Sequence, residues 1–78
     1  MATVRLFASA RDAAGTGTDV VDGTTVAEVL AEAERRYGQR FSDVLTTCRI
    51  WVNGDTAHPD TEVGPHDEVA ILPPVSGG

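Results

Sequence analysis

The chain contains no lysine; all six of its basic residues are arginine. It therefore offers no ε-amine, and its N-terminus is its only amine. Cysteine is almost as scarce. The single Cys48 cannot close an internal disulfide, which fits a cytoplasmic setting. Nor can it supply the four thiolates of an iron–sulfur cluster. Long apolar runs are missing. No stretch approaches the roughly 20 residues of a membrane span, and Met1 to Phe7 lacks the apolar segment and cleavage site of a secretory signal. Positive charge is thin, with a formal net charge of −6. Scattered arginines do not build the basic face that a phosphate backbone needs, which argues against nucleic acid. An acidic chain suits a partner with a basic groove, and charge can speed that encounter, although solubility alone accounts for the excess.

What is present describes one small domain. A chain of 78 residues holds a single modest core and has little room for a deep substrate pocket. With 41% hydrophobic and 23% charged residues the composition is that of an ordinary globular protein. Thr3 to Ala8 alternates Val4, Leu6 and Ala8 with Thr3, Arg5 and Phe7, the period of a strand. Ser9 to Gly17 is rich in small and polar residues and reads as a loop. Thr18 to Val21 is a second short strand, so the opening third reads as a hairpin.

The clearest element follows. Thr25 and Glu28 have capping-box spacing, and Val26, Val29, Leu30, Ala33 and Tyr37 recur on one face at helical period. Gly38 is a natural helix-terminating residue. Phe41 to Leu45 suggests a helical turn. Arg49 to Val52 is a third strand, and Asn53-Gly54 supplies the positive φ values of a tight turn. A short extra strand is suggested near Thr56 to His58, and His58 to Pro65 is irregular. Glu68 to Leu72 is the last strand. One helix must cover one face of one sheet. The expected fold is therefore α+β, a ββαββ β-grasp domain over residues 1–72, followed by a flexible tail over 73–78.

That tail carries the strongest functional signal. Pro73 and Pro74 lack N–H donors and have fixed φ, so they end the sheet ladder and favour an extended path. Gly77 and Gly78 have no Cβ and can thread a channel too narrow for other residues. From Pro73 the tail spans roughly 20 Å at about 3.3 Å per residue. A stiff base with a thin tip suits delivery of a terminal carboxylate into another protein. With an ordinary pKa of about 3.3–3.7, that carboxylate is ionised at neutral pH and is a poor electrophile until a leaving group is attached.

The ending DEVAILPPVSGG, Asp67 to Gly78, resembles that of the small subunit of molybdopterin synthase. The opening VRLFASAR, with Phe7, Ala8 and Arg11, and the WVNG of Trp51 to Gly54 resemble the same family over nearly the whole chain. The family belongs to a wider group of ubiquitin-like sulfur carriers that includes the thiamine-pathway carrier. One departure is local: the family's tight acidic turn before DEVA is replaced here by Val63-Gly64-Pro65-His66-Asp67. The resemblance implies that a ubiquitin-activating-type enzyme uses ATP to adenylate Gly78. A sulfur donor such as a desulfurase then displaces AMP to leave a thiocarboxylate. The large catalytic subunit of the synthase presents a pterin precursor to that sulfur. The carrier itself binds no cofactor; ATP is consumed by the activating partner. Other acceptors (thiamine, cysteine or a specialised metabolite) need the same tail, and a ubiquitin-like module that is never activated is the reading from another class.

Strand parity adds a second surface. If the helix covers Val4, Leu6, Ile50, Val52, Val69 and Ile71, then Phe7, Trp51 and Leu72 lie on the uncovered face. The last strand should run between the other two, which makes these three an apolar patch at the root of the tail. With Pro73, Pro74 and Val75 they form the expected partner-binding set. A bulge would instead turn Trp51 into the core. Cys48 shares the parity of Ile50 and Val52 and reads as a small inward hydrophobe. His58 and His66, among Asp60, Glu62 and Asp67, match no metal-ligand spacing and read as solvated loop.

Overall fold

The computed structural model describes residues 1–74. Val75, Gly77, Gly78 and the expected flexibility of the tail tip lie outside the described residues. Strands β1 (Ala2–Leu6), β2 (Thr18–Val21), β3 (Arg49–Val52), β4 (Asp55–Thr56) and β5 (Glu68–Leu72) form one sheet in the order β2-β1-β5-β3-β4. The β1–β5 pair is parallel and the other pairs are antiparallel. Three helices, α1 (Ala8–Ala14), α2 (Val26–Tyr37) and α3 (Gln39–Leu45), accompany the sheet. This is the mixed-sheet α+β architecture expected, with β5 between β1 and β3 and a two-residue extra strand. None of the described helices is long and apolar enough to cross a membrane.

The alternation of the strands decides the layers. Ala2, Val4, Leu6, Val21, Val69 and Ile71 are buried and meet Val26, Val29 and Ala33 of α2, Phe41 of α3 and Ala10 of α1. Ile50 and Val52 pack against this cluster from the edge. Tyr37 and Phe41 meet edge to face, with ring centroids 5.1 Å apart, a favoured aromatic geometry.

The N-terminus of α2 is closed from three directions. The Thr25 hydroxyl accepts from the Glu28 N–H at 3.2 Å, and the Glu28 carboxylate accepts from the Thr24 N–H at 2.8 Å. The capping box therefore forms, with its return bond to the residue before the cap. The Val26 and Ala27 N–H groups, which have no partner inside the helix, donate to the carbonyls of Thr61 and Pro59, both at 2.9 Å. The irregular 58–65 stretch thus serves α2 as a backbone cap, fastened by the Thr25–Glu62 bridge and buried Val63. Gly23 itself comes close to the first turn of α2. Its φ is +146°, and a Cβ there would stand 2.7 Å from the Val29 nitrogen.

Two expectations are corrected. Ser9 to Gly17, expected as a loop, carries all of α1 but its first residue. That residue, Ala8, expected to end the first strand, lies beyond it, because β1 stops at Leu6. Alanine favours helix intrinsically, but seven residues are too few to hold a helix alone. Packing of Ala10, Ala13 and Ala14 against the core supplies the rest. The helix ends at Gly15, which has φ +80° and donates to the Arg11 carbonyl.

The C-terminal end of α2 is tied to the edge strand β2. Asp19 accepts from the Tyr37 hydroxyl and from Arg36, and Arg36 also donates to the Val20 carbonyl at 2.9 Å. Tyr37 first, then the Val20 N–H and Arg36, hold the Asp19 carboxyl below its ordinary range, against a smaller opposing effect of burial. Burial, then Asp19, push the Tyr37 phenol up. Arg35 and Arg36 together hold Glu32 down at about 2.

Candidate functional site

The face of the sheet that no helix covers ends at the tail. Register sets its rows. Arg5 lies beside Ala70 and Ala70 beside Trp51, while Leu72 lies beside Arg49. Phe7 continues β1 in extended conformation, with φ −125° and ψ 150°, and donates its N–H to the Ile71 carbonyl. That step places Phe7 beside Leu72. Phe7 is 41% exposed, and Trp51 and Leu72 are half-buried. Neither Trp51 nor Leu72 joins the hydrophobic residues packed on the core. The three residues expected on the uncovered face are therefore together on it, and no bulge turns Trp51 inward. Pro73 is half-buried and Pro74 exposed, both beyond the last strand residue.

The base of the tail is anchored in the middle of the sheet. β5 is a central strand, bonded along β1 on one side and β3 on the other. Its start is pinned as well. Asn53, with φ +52°, and Gly54, with φ +86°, turn β3 into β4 as expected for Asn-Gly. The Asn53 amide donates to Asp67 at 2.9 Å and its carbonyl oxygen accepts from the Glu68 N–H at 3.0 Å. The other Asp67 oxygen accepts from the Gly64 N–H at 2.8 Å. Asn53 first, then Gly64, hold the Asp67 carboxyl below its ordinary range. The unusual Val63–Asp67 segment is thus closed by its own aspartate.

Two residues that sequence reasoning did not place in the site share this face. Arg5 has the parity of Phe7, and Arg49 the parity of Trp51, so the alternation that located the patch also locates them. A half-open cleft of about 240 Å³ lies at the β3–β4 edge, lined by Cys48, Arg49, Ile50, Trp51, Thr56 and Ala57. Cys48 donates to the Val44 carbonyl at 3.3 Å, and burial pushes its thiol up, so it stays protonated and packs as a small hydrophobe. Among the described residues no three His, Cys, Asp or Glu side chains converge to hold a metal. His58 and His66 are both exposed.

Comparison with known proteins agrees with this geometry. The small archaeal modifier protein SAMP1 of Methanosarcina acetivorans is 30% identical, with a TM-score of 0.88 over 99% of this chain and 95% of that one. SAMP1 of Haloferax volcanii is also 30% identical, with a TM-score of 0.82 over 99% and 98% of the two chains. A putative molybdopterin converting factor subunit 1 from Pyrococcus furiosus is 26% identical, with a TM-score of 0.80 over 95% and 97%. The model of the ThiS family matches residues 4–78. With its mixed sheet, its uncovered face and a family match running from β1 through the C-terminal glycines, the chain belongs to the ThiS family of ubiquitin-like sulfur carriers.

Proposed function

We propose that the working group of this carrier is the terminal carboxylate of Gly78, and that the sulfur it carries goes to a pterin precursor in molybdopterin formation. The family match through Gly77 and Gly78 carries this reading. The carboxylate attacks the α-phosphorus of ATP on an adenylating enzyme, pyrophosphate leaves, and an acyl-adenylate forms. Hydrosulfide adds to the acyl carbon and AMP departs with one carboxylate oxygen. When a desulfurase delivers the sulfur as a persulfide, the acyl disulfide formed instead is cleaved by a thiol reductant, which is oxidised to a disulfide. The product is a thiocarboxylate. The large catalytic subunit of molybdopterin synthase would then seat Phe7, Trp51, Leu72 and the Pro73–Val75 root while the sulfur enters its own site. Likeness to the Pyrococcus furiosus protein and the PPVSGG ending favour the pterin over thiamine, cysteine or a specialised metabolite.

The test is intact-mass analysis after incubation with ATP, the adenylating enzyme and a sulfur source. A sulfur-for-oxygen mass gain at the C-terminus, followed by conversion of the pterin precursor on the synthase, is the expected result. An inert carboxylate would make the chain a binding module only.

The likeness to two small archaeal modifier proteins favours a second use of the same adenylate, capture by an amine. A conjugate would join Gly78 to a lysine of another protein. Lysine-linked chains of this protein with itself should be absent from digests analysed by mass spectrometry, because it has no lysine; a self-linked dimer through an internal residue would contradict this.

A further inference from the structure

We infer that Thr16, Asp19 and Arg36 form a guard that closes the outer edge of β2 to strand addition by a second copy of this chain. The inference is independent of the carrier reading, and its test needs no partner enzyme.

The order β2-β1-β5-β3-β4 leaves two strands with one neighbour each. An unpaired edge presents a row of N–H and C=O groups that another strand can use. β4 consists of Asp55 and Thr56 alone, both exposed, and very short edges resist pairing. β2 is four residues long and carries Val20, which is 51% exposed. It is the edge that needs protection.

Register shows which groups of β2 face outward. β1 and β2 run antiparallel, with Val4 opposite Asp19 and Thr3 opposite Val20. In the same register the Leu6 N–H donates to the Gly17 carbonyl at 3.0 Å. Bonded and non-bonded pairs alternate along an antiparallel ladder, so Asp19 and Val21 turn their backbone groups toward β1. Thr18 and Val20 turn theirs outward. A side chain meets each of these four groups. The Thr16 hydroxyl donates to the Thr18 carbonyl at 2.8 Å and accepts from the Thr18 N–H at 3.4 Å. The Asp19 carboxylate accepts from the Val20 N–H at 2.8 Å. Arg36 donates to the Val20 carbonyl at 2.9 Å.

The guard is held from behind by α2. The Tyr37 hydroxyl donates to the other Asp19 oxygen, and Arg36 lies 3.3 Å from it. Glu32 accepts from the Arg36 Nε at 3.1 Å. Exposed ion pairs of this kind contribute little to stability; here they fix two caps over the edge.

The caps exclude a second copy because β2 is complementary to itself. Two β2 strands related by a two-fold axis can pair antiparallel with Thr18 of each opposite Val20 of the other. In that register the four outward groups of one copy meet the four of its mate. The two Asp19 side chains then face each other directly across the strands, and like charges so placed repel. Asp19 opposes the pairing twice, by occupying the Val20 N–H and by its charge.

The experiment measures self-association by sedimentation equilibrium. The triple variant Thr16→Ala, Asp19→Ala, Arg36→Ala is compared with Arg40→Ala plus Asp43→Ala, two exposed helical positions; both leave the net charge unaltered. Each hydrogen bond freed for pairing is worth roughly a few-fold in an equilibrium constant, so the triple variant should associate at least about tenfold more tightly than the unaltered chain. The helical pair should not differ from the unaltered chain. Amide exchange at Thr18 and Val20 should slow as concentration rises. Adding Val20→Pro to the triple variant should restore the monomer, because proline removes an outward N–H that the β1 ladder does not use. A folded triple variant as monomeric as the unaltered chain would overturn the inference. So would association that survives Val20→Pro, or that leaves exchange at Thr18 and Val20 unchanged. If the triple variant fails to fold by circular dichroism, Thr16→Ala, Asp19→Asn, Arg36→Gln takes its place and keeps an acceptor for Tyr37. Association about threefold tighter then supports the inference, and no change refutes it.

Discussion

Replacing Trp51 by alanine separates a docking residue from a core residue. The indole is half-buried, but its register neighbours are Ala70 and Thr56 on the uncovered face, not the buried cluster. Cross-strand pairs of this kind contribute about 0.2–1 kcal/mol each, so two of them place the stability loss near 1 kcal/mol. For a domain of this size that is a fall in Tm of about 4–8 °C. A fully buried tryptophan would cost about 3–5 kcal/mol. An interface hot spot, by contrast, contributes 2 kcal/mol or more, or about thirtyfold in affinity. The expected outcome is a modest loss in a thermal melt alongside about a thirtyfold rise in KM for adenylation. Ile71→Ala is the control, since Ile71 is 0% exposed and its truncation should cost about 2–5 kcal/mol. A Tm loss for Trp51→Ala that matches the Ile71 control, with KM unchanged, would refute the placement.

Deleting Gly78 should leave the melt unchanged and abolish sulfur gain by mass, because the reacting carboxylate retreats by about 3.3–3.6 Å and a misplacement of about 1 Å already costs roughly a hundredfold; sulfur transfer at the unaltered rate would dismiss the terminal carboxylate as the working group. Gly77→Val tests the same passage by adding a Cβ and restricting φ. Gly23→Ala should destabilise by roughly 3 kcal/mol, from left-handed strain plus the 2.7 Å approach to the Val29 nitrogen; a denaturant midpoint equal to the parent's would contradict that contact. Tyr37→Phe should flatten the acid limb of stability. Asp19 has a folded-state pKa below its ordinary 3.8 chiefly through the Tyr37 hydroxyl. Its contribution is therefore present above that value and lost as pH falls through the lower one. An unaltered slope of Tm against pH in the acid range would rule out the Tyr37–Asp19 bond.

Much of this protein is determined locally. The alternation of Val4 and Leu6, of Ile50 and Val52, and of Val69 and Ile71 dictates which sheet face is buried, because successive side chains in a strand point to opposite sides. Thr25 and Glu28 begin the main helix through bonds between residues three or four apart, and Asn53-Gly54 closes its turn with its own backbone preferences. The resemblance carried by Asp67 to Gly78 likewise needs no third dimension. Other features exist only because distant segments meet. Helix α1 is too short to persist without the core that Ala10 enters, so its small and polar residues have the local pattern of a loop. The carbonyls of Pro59 and Thr61 cap α2 only once the chain has returned past it. Arg5 and Arg49 become one charged block solely because β5 lies between their strands. Local preference acts over a few bonds, whereas the sign of charge on a surface depends on which strands tertiary pairing makes neighbours.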